Sequence, residues 1–199
     1  MEYIEYFCIL IVLITIFFLY LHIRRDQTDV IYVISDIDNQ KYLVRSMPDK
    51  QIASNMLATI KRSMNKLTDF LHQNINDPKY KDYKPYIEQL STKIYGAIIM
   101  ESSENSVYTS YSVNKGEEII FCLRSRSNKN VLHSINLMMY VVLHEMSHVA
   151  CPEYGHTDLF KKIFAFFAKT AIELNIYKKI DFNKEPTEYC GLMITDSII

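Results

Sequence analysis

Leu143 to Phe160 reads LHEMSHVACPEYGHTDLF, and three of the chain's six histidines fall inside it: His144, His148 and His156. On a helix, positions i and i+4 lie on one face a turn apart, so His144 and His148 can direct two imidazoles at a single ion, with Glu145 on the same turn. A Zn²⁺ held by neutral imidazoles keeps an open position for water and lowers that water's pKa toward about 7; a neighbouring carboxylate then takes the proton. HExxH supplies each of these parts. The preceding run, Leu137 to Leu143 (LMMYVVL), is apolar all round, as in a helix buried on every side. Two histidines and a glutamate in such a helix would each cost on the order of 1 to 3 kcal/mol if left without partners. A bound metal removes that cost.

A catalytic zinc site needs a third protein ligand. His156 follows His148 by eight residues, across Pro152 and Gly155, which let the helix end and the chain turn back. The rival is Glu173 on the next helix, which would give a two-His, one-Glu site. Cys151 reads as a buried small hydrophobe rather than a ligand.

Around this segment the pattern is that of a mixed α and β domain. Residues 30 to 45 hold two β-branched and aromatic runs about a turn at Asp36 to Gln40, a hairpin signal. Asp49 is a good N-cap, and Ile52, Met56, Ile60, Met64, Leu67 and Leu71 recur every three or four residues, predicting an amphipathic helix to about Ile75. A short helix is expected over Tyr86 to Ile94 and a strand over Ala97 to Met100. Ser106 to Val113 and Glu118 to Leu123 bracket Asn114, Lys115 and Gly116 as a second hairpin. The motif helix is expected from Val131 to about Ala150. A further helix capped at Thr157 or Asp158 runs to about Asn175, and the tail is extended.

Composition narrows the function classes. The 199 residues are 49% hydrophobic and 23% charged, with only four Gly and five Pro, so the chain can build a core and is neither a linker nor a disordered tail. Lys and Arg number 22 against 23 Asp and Glu, a net charge of -1, which gives no general field for nucleic acid. Lys50, Lys61, Arg62 and Lys66 read as the solvated face of a helix. Cys8, Cys122, Cys151 and Cys190 are scattered without a CxxC pair, so no disulfide framework is expected, which suits a reducing compartment.

From Tyr6 to Ile23 no residue is charged. As a helix this stretch spans about 27 Å, near the ~30 Å hydrocarbon core, and predicts a membrane anchor in residues 1–25 before a single domain in 26–199. The acidic Glu2 and Glu5 and the absence of a small-residue cleavage site argue against a signal peptide. Arg24 and Arg25 on the C-terminal flank predict a single-pass topology with the N-terminus outside and the catalytic domain cytoplasmic, in a viral or host internal membrane.

HEMSHVACPEYGHTDLF resembles the zinc metallopeptidases of the WLM and SprT-like families, with their HExxH, short turn, third His and later Phe. With YTSYSVNKGEEIIFCLRS before the helix and EYCGLMITDS near the end, the chain looks most like the WLM-type metallopeptidases of large DNA viruses, over roughly residues 45 to 199. The resemblance implies a zincin-like α+β fold, an active-site helix packed on a small antiparallel sheet. It also implies zinc on His144, His148 and His156, with Glu145 as base. The metzincin pattern fails, because Cys151 stands where that pattern wants Gly. The expected activity is a membrane-anchored zinc endopeptidase acting on a protein or peptide substrate that adds to the hairpin edge, with Tyr154, Tyr189 or Arg124 stabilising the oxyanion. The alternative is an inactive zincin-fold structural or interaction protein of a membrane or virion. A DNA-linked protease is disfavoured by the near-neutral charge, and no nucleic-acid partner is expected.

Overall fold

The computed structural model describes residues 2–27, 29–128 and 130–199, with side chains over 6–21, 29–128 and 130–199. Val30–Ile34 (β1) and Lys41–Arg45 (β2) form the expected antiparallel hairpin, in register from Val30 opposite Arg45 to Ile34 opposite Lys41. The amphipathic run becomes α2, Lys50–Gln73, which buries Leu57, Ile60, Met64, Leu67 and Leu71 along one stripe. Asp49 stands at its N-cap position without capping it by its side chain. The carboxylate accepts instead from Arg124 Nη1 at 2.7 Å. A 3-10 turn, Pro78–Tyr83, leads into α3, Lys84–Ile94.

The second sheet is three-stranded, built from Ile98–Glu101 (β3), Tyr111–Val113 (β4) and Glu118–Phe121 (β5) in the order β3-β5-β4. β4 and β5 form the expected antiparallel hairpin, but β3 runs parallel to β5, so the sheet is mixed where a wholly antiparallel one was expected. The reason lies in β5. Ile119 and Phe121 are wholly buried, and the central place in the sheet covers them on both flanks.

α4, Ile135–Ala150, starts four residues later than its apolar pattern suggests. Ser134 Oγ accepts from the Leu137 amide at 3.3 Å and caps it. Residues 131–133 turn back on the segment after β5: Ser125 N donates to Val131 O, and His133 N to Leu123 O, each at 2.9 Å. α4 packs against α2, α3 and α5 (Asp158–Glu173), which buries its apolar residues all round. Thr157 caps α5 through its hydroxyl, 3.3 Å from the Phe160 amide. The tail forms the hairpin Thr187–Tyr189 (β6) and Leu192–Ile194 (β7).

Two expectations need correction. Cys122, just past β5, and Cys190, in the β6–β7 turn, are joined by a disulfide across 68 residues of sequence. Tertiary folding brings the pair together, and no local spacing announces it. The second concerns the anchor. α1, Glu2–Gln27, exposes its side chains from Tyr6 to Leu21, yet among the described residues no helix is long and apolar enough to cross a membrane. The membrane span over 6–23 and the single-pass topology built on it are therefore not supported. The flanking charges that oriented it, Glu2, Glu5, Arg24 and Arg25, have side chains outside those described.

Behind the sheet lies a buried ionic knot. Arg124 Nε donates to Glu101 Oε1 at 2.7 Å, while Glu101 Oε2 accepts from the Arg45 amide at 2.7 Å. With Asp49 on the same guanidinium, this knot fixes β2, β3 and the start of α2 against the chain that follows β5. Breaking one partner of such a buried pair typically costs about 3 to 5 kcal/mol.

Candidate metal centre

The three histidines meet. Nε2 of His144 lies 3.1 Å from Nε2 of His148 and 3.0 Å from that of His156, and the His148 to His156 separation is 3.2 Å. Each ring nitrogen thus confronts two others, an arrangement neutral imidazoles cannot satisfy with one proton apiece. An ion can. Three nitrogens bound tetrahedrally at ~2.0 to 2.1 Å from one centre stand about 3.3 Å apart, close to the separations found. Among the described residues these three histidines are the group able to hold a metal. The donor set, three imidazoles with no thiolate or carboxylate, suits zinc and leaves a fourth position for a ligand from solution.

Local sequence explains how the third ligand arrives. α4 ends at Cys151, whose amide still bonds to Ser147 O at 2.9 Å while its own ψ of 127° turns the chain outward. Gly155 then takes φ +80°, a conformation that side-chain-bearing residues rarely adopt. Two residues on, Thr157 starts α5 and His156 is delivered at its threshold. Phe160, on the first turn of α5, packs against all three imidazoles, with ring centroids 5.0, 4.2 and 4.9 Å from those of His144, His148 and His156.

Burial sets the protonation states. It drives His144 down to about 3 and His148 to about 4, with the neighbouring imidazoles adding to the effect, so both are neutral and ready to ligate near pH 7. It pushes Glu145 up to about 8, which makes the carboxyl a proton acceptor of unusual strength for its type. Glu145 is 4% exposed and reaches the same cavity as the histidines.

That cavity, of about 740 Å³, lies between α4, the edge strand β4 and the C-terminal hairpin. Its lining combines apolar groups from Tyr140, Val141, Leu192 and Ile194 with polar ones from Ser112, Asn114 and Lys115. Of the three residues suggested for oxyanion stabilisation, Tyr189 and Tyr154 line the cavity and Arg124 does not, its guanidinium being committed to Glu101 and Asp49. The Tyr189 hydroxyl is hydrogen-bonded to Ser110 Oγ. Glu173, the rival ligand, is the last residue of α5 and has no part in the cluster. Cys151 is free and wholly buried, as a small hydrophobe should be. Sequence reading took Phe160 only as a motif position and Lys115 only as a turn residue; an aromatic at i+4 from a ligand was the signal available for the first.

Over 176 residues the chain is 48% identical to uncharacterized protein R325 of Acanthamoeba polyphaga mimivirus, a match covering 88% of each chain. The chain belongs to the R325 family of viral proteins. Shorter matches join this family to two iridescent virus proteins: 136R of Invertebrate iridescent virus 6, 33% identical over 69 residues, and 042R of Invertebrate iridescent virus 3, 40% identical over 68. Each of these covers 34% of the chain, with 38% and 42% of the respective relative. No family model and no solved structure matches it.

Proposed function

We propose that the chain is a zinc-dependent metallopeptidase that hydrolyses peptide bonds with Glu145 as general base. The observation that carries the reading is one juxtaposition: three mutually facing imidazole nitrogens and, on the same helical turn, a buried carboxylate that belongs to no ion pair in the described residues, all opening on one cavity. A site serving structure alone is closed by four protein ligands and needs no base.

His144, His148 and His156 would hold the ion. Zinc so held supplies a Lewis acid, which polarises the scissile carbonyl and acidifies the attacking water. Glu145 takes the proton of that water and hands it to the departing amine, a transfer suited to a carboxyl whose proton affinity burial has raised. β4 pairs with β5 on one side only and borders the cavity, so an extended substrate can add to its free edge by main-chain hydrogen bonds. The apolar lining from Tyr140, Val141, Leu192 and Ile194 then suits a substrate with a large apolar side chain near the scissile bond.

Cleavage of a peptide library by wild type and Glu145→Gln at equal zinc occupancy tests this. The amide is nearly isosteric and is not a ligand, so fold and metal should persist while the rate falls about 10² to 10⁴-fold. Equal rates remove Glu145 as base. Zinc binding with no cleavage by either protein favours a scaffold.

A further inference from the structure

We propose that Lys115, in the β4–β5 turn, is a positioning residue for the third metal ligand: its ammonium fastens the loop that delivers His156. The inference rests on the proposed metal centre. Lys115 Nζ donates to Cys151 O at 2.8 Å and to Glu153 O at 2.9 Å, and stands 4.3 Å from the centre of the Tyr154 ring. Thus one cation gathers Cys151, Glu153 and Tyr154, three of the five residues between α4 and His156. A loop whose residues from Pro152 to His156 are all exposed has little packing of its own to define it.

The base from which Lys115 reaches is itself fixed to α4. Gly116 has φ +104° and presses so closely on the helix that an added Cβ would stand 2.9 Å from a methyl carbon of Val149, the residue next to His148. Asn114 and Lys115 both adopt left-handed backbone, with φ 47° and 56°, a conformation costly for a lysine. That conformation is bound in by Gly116 N and Glu117 N, which both donate to Val113 O, and by Asn114 Nδ2 donating to Glu117 at 2.7 Å. A strained lysine whose three donors are directed at two carbonyls and a ring face is doing work at that place. Cys151 O lies at the end of α4, where a cation also meets the negative end of the helix dipole. His144 and His148 are set by the helix and need no such help, whereas His156 depends on the path of the loop.

Zinc affinity of the full chain, by competition with a chromophoric chelator, is the test, with Lys115→Met, Lys115→Arg, His156→Ala and the Lys115→Met/His156→Ala double variant. Lys115→Met should weaken zinc about 10 to 100-fold, the usual effect of removing a group that orients a ligand, and Lys115→Arg should recover most of the loss. In the His156→Ala background Lys115→Met should change nothing further, and the metal-free melting temperatures of Lys115→Met and wild type should agree within a few degrees. Wild-type affinity in Lys115→Met, alongside weakened binding in His156→Ala, overturns this inference and leaves the metal centre standing. An equal further loss in the double variant, or failure of Lys115→Met to fold, assigns the lysine to general stability and also overturns it. If His156→Ala binds zinc as wild type does, the three-histidine site falls and takes the inference with it.

Discussion

The ring of Phe160 lies stacked on that of His148, with 4.2 Å between centroids and 28° between planes, while it meets His144 and His156 edge-on. One aromatic face on α5 therefore limits the freedom of all three imidazoles at once. Phe160 is 2% exposed, so truncation to alanine leaves a cavity costing about 3 to 5 kcal/mol in denaturant unfolding of the metal-free protein. Phe160→Leu is the sharper probe. It keeps most of the apolar volume and loses the flat surface, so a modest stability change should accompany a clear fall in zinc affinity. Unchanged affinity in Phe160→Leu would reduce the ring to packing.

Tyr189 offers the cavity a phenol whose burial raises its pKa well above the ordinary tyrosine value, so it stays protonated and able to donate. If its hydroxyl leaves Ser110 to meet the developing oxyanion, Tyr189→Phe should lower kcat about 10²-fold with KM little changed. Zinc content should stay at the wild-type level. An equal loss in KM alone would place the phenol in substrate binding.

Acid and alkali should both destabilise the metal-free protein, for opposite reasons. His144 and His148 fall from 6.5 to about 3 and about 4 through burial, so their contribution is complete above pH 6.5 and is lost as pH falls through those lower values. Glu145 rises from 4.5 to about 8, also through burial, so its contribution is complete below pH 4.5 and is lost as pH rises through 8. Two histidines outweigh one carboxyl below pH 6.5 and only the carboxyl acts above it, so melting temperatures of chelator-treated protein should peak near pH 6.5. Glu145→Gln should flatten the alkaline side, and a slope there unchanged from wild type contradicts the assignment.

Loss of the Cys122–Cys190 bond should cost about 4 kcal/mol, since it frees a loop of 68 residues in the unfolded chain. Cys122→Ser and reduction by a dithiol should agree in denaturant midpoint. Both should also loosen the hairpin that bears Tyr189 and Leu192, and slow peptide cleavage more than they lower zinc content. Wild-type stability after complete reduction refutes the first part.

Where chemistry sits within a few residues of sequence, the molecule was legible. The meeting of His144 with His148 follows from helical spacing, and that of His156 with both from the turn residues Pro152 and Gly155, with α5 capped by Thr157 as its sequence suggests. What escaped was settled by distant partners. β5 is central because Ile119 and Phe121 need cover from β3 as well as β4, a fact no hairpin signal contains. Residues 131–133 have helical character but are taken by the backbone of Leu123 and Ser125. Arg124, read as a group facing substrate, is drawn into the ion pairs with Glu101 and Asp49, and Lys115 was read only as turn. The apolar N-terminus was over-read: hydropathy promised a span that the described helix does not provide.

The bond between Cys122 and Cys190 turns the chain between them into a covalent ring, and His144, Glu145, His148 and His156 all lie on it. If the chain cleaves peptides as proposed, it is exposed to its own activity, and the accessible loop from Pro152 to His156 borders the cleft. Scission anywhere within the ring yields no fragment that can diffuse away, because the two pieces stay tied through sulfur. A self-nicked molecule would therefore migrate as an intact chain on a denaturing gel and separate into two bands when thiol is added.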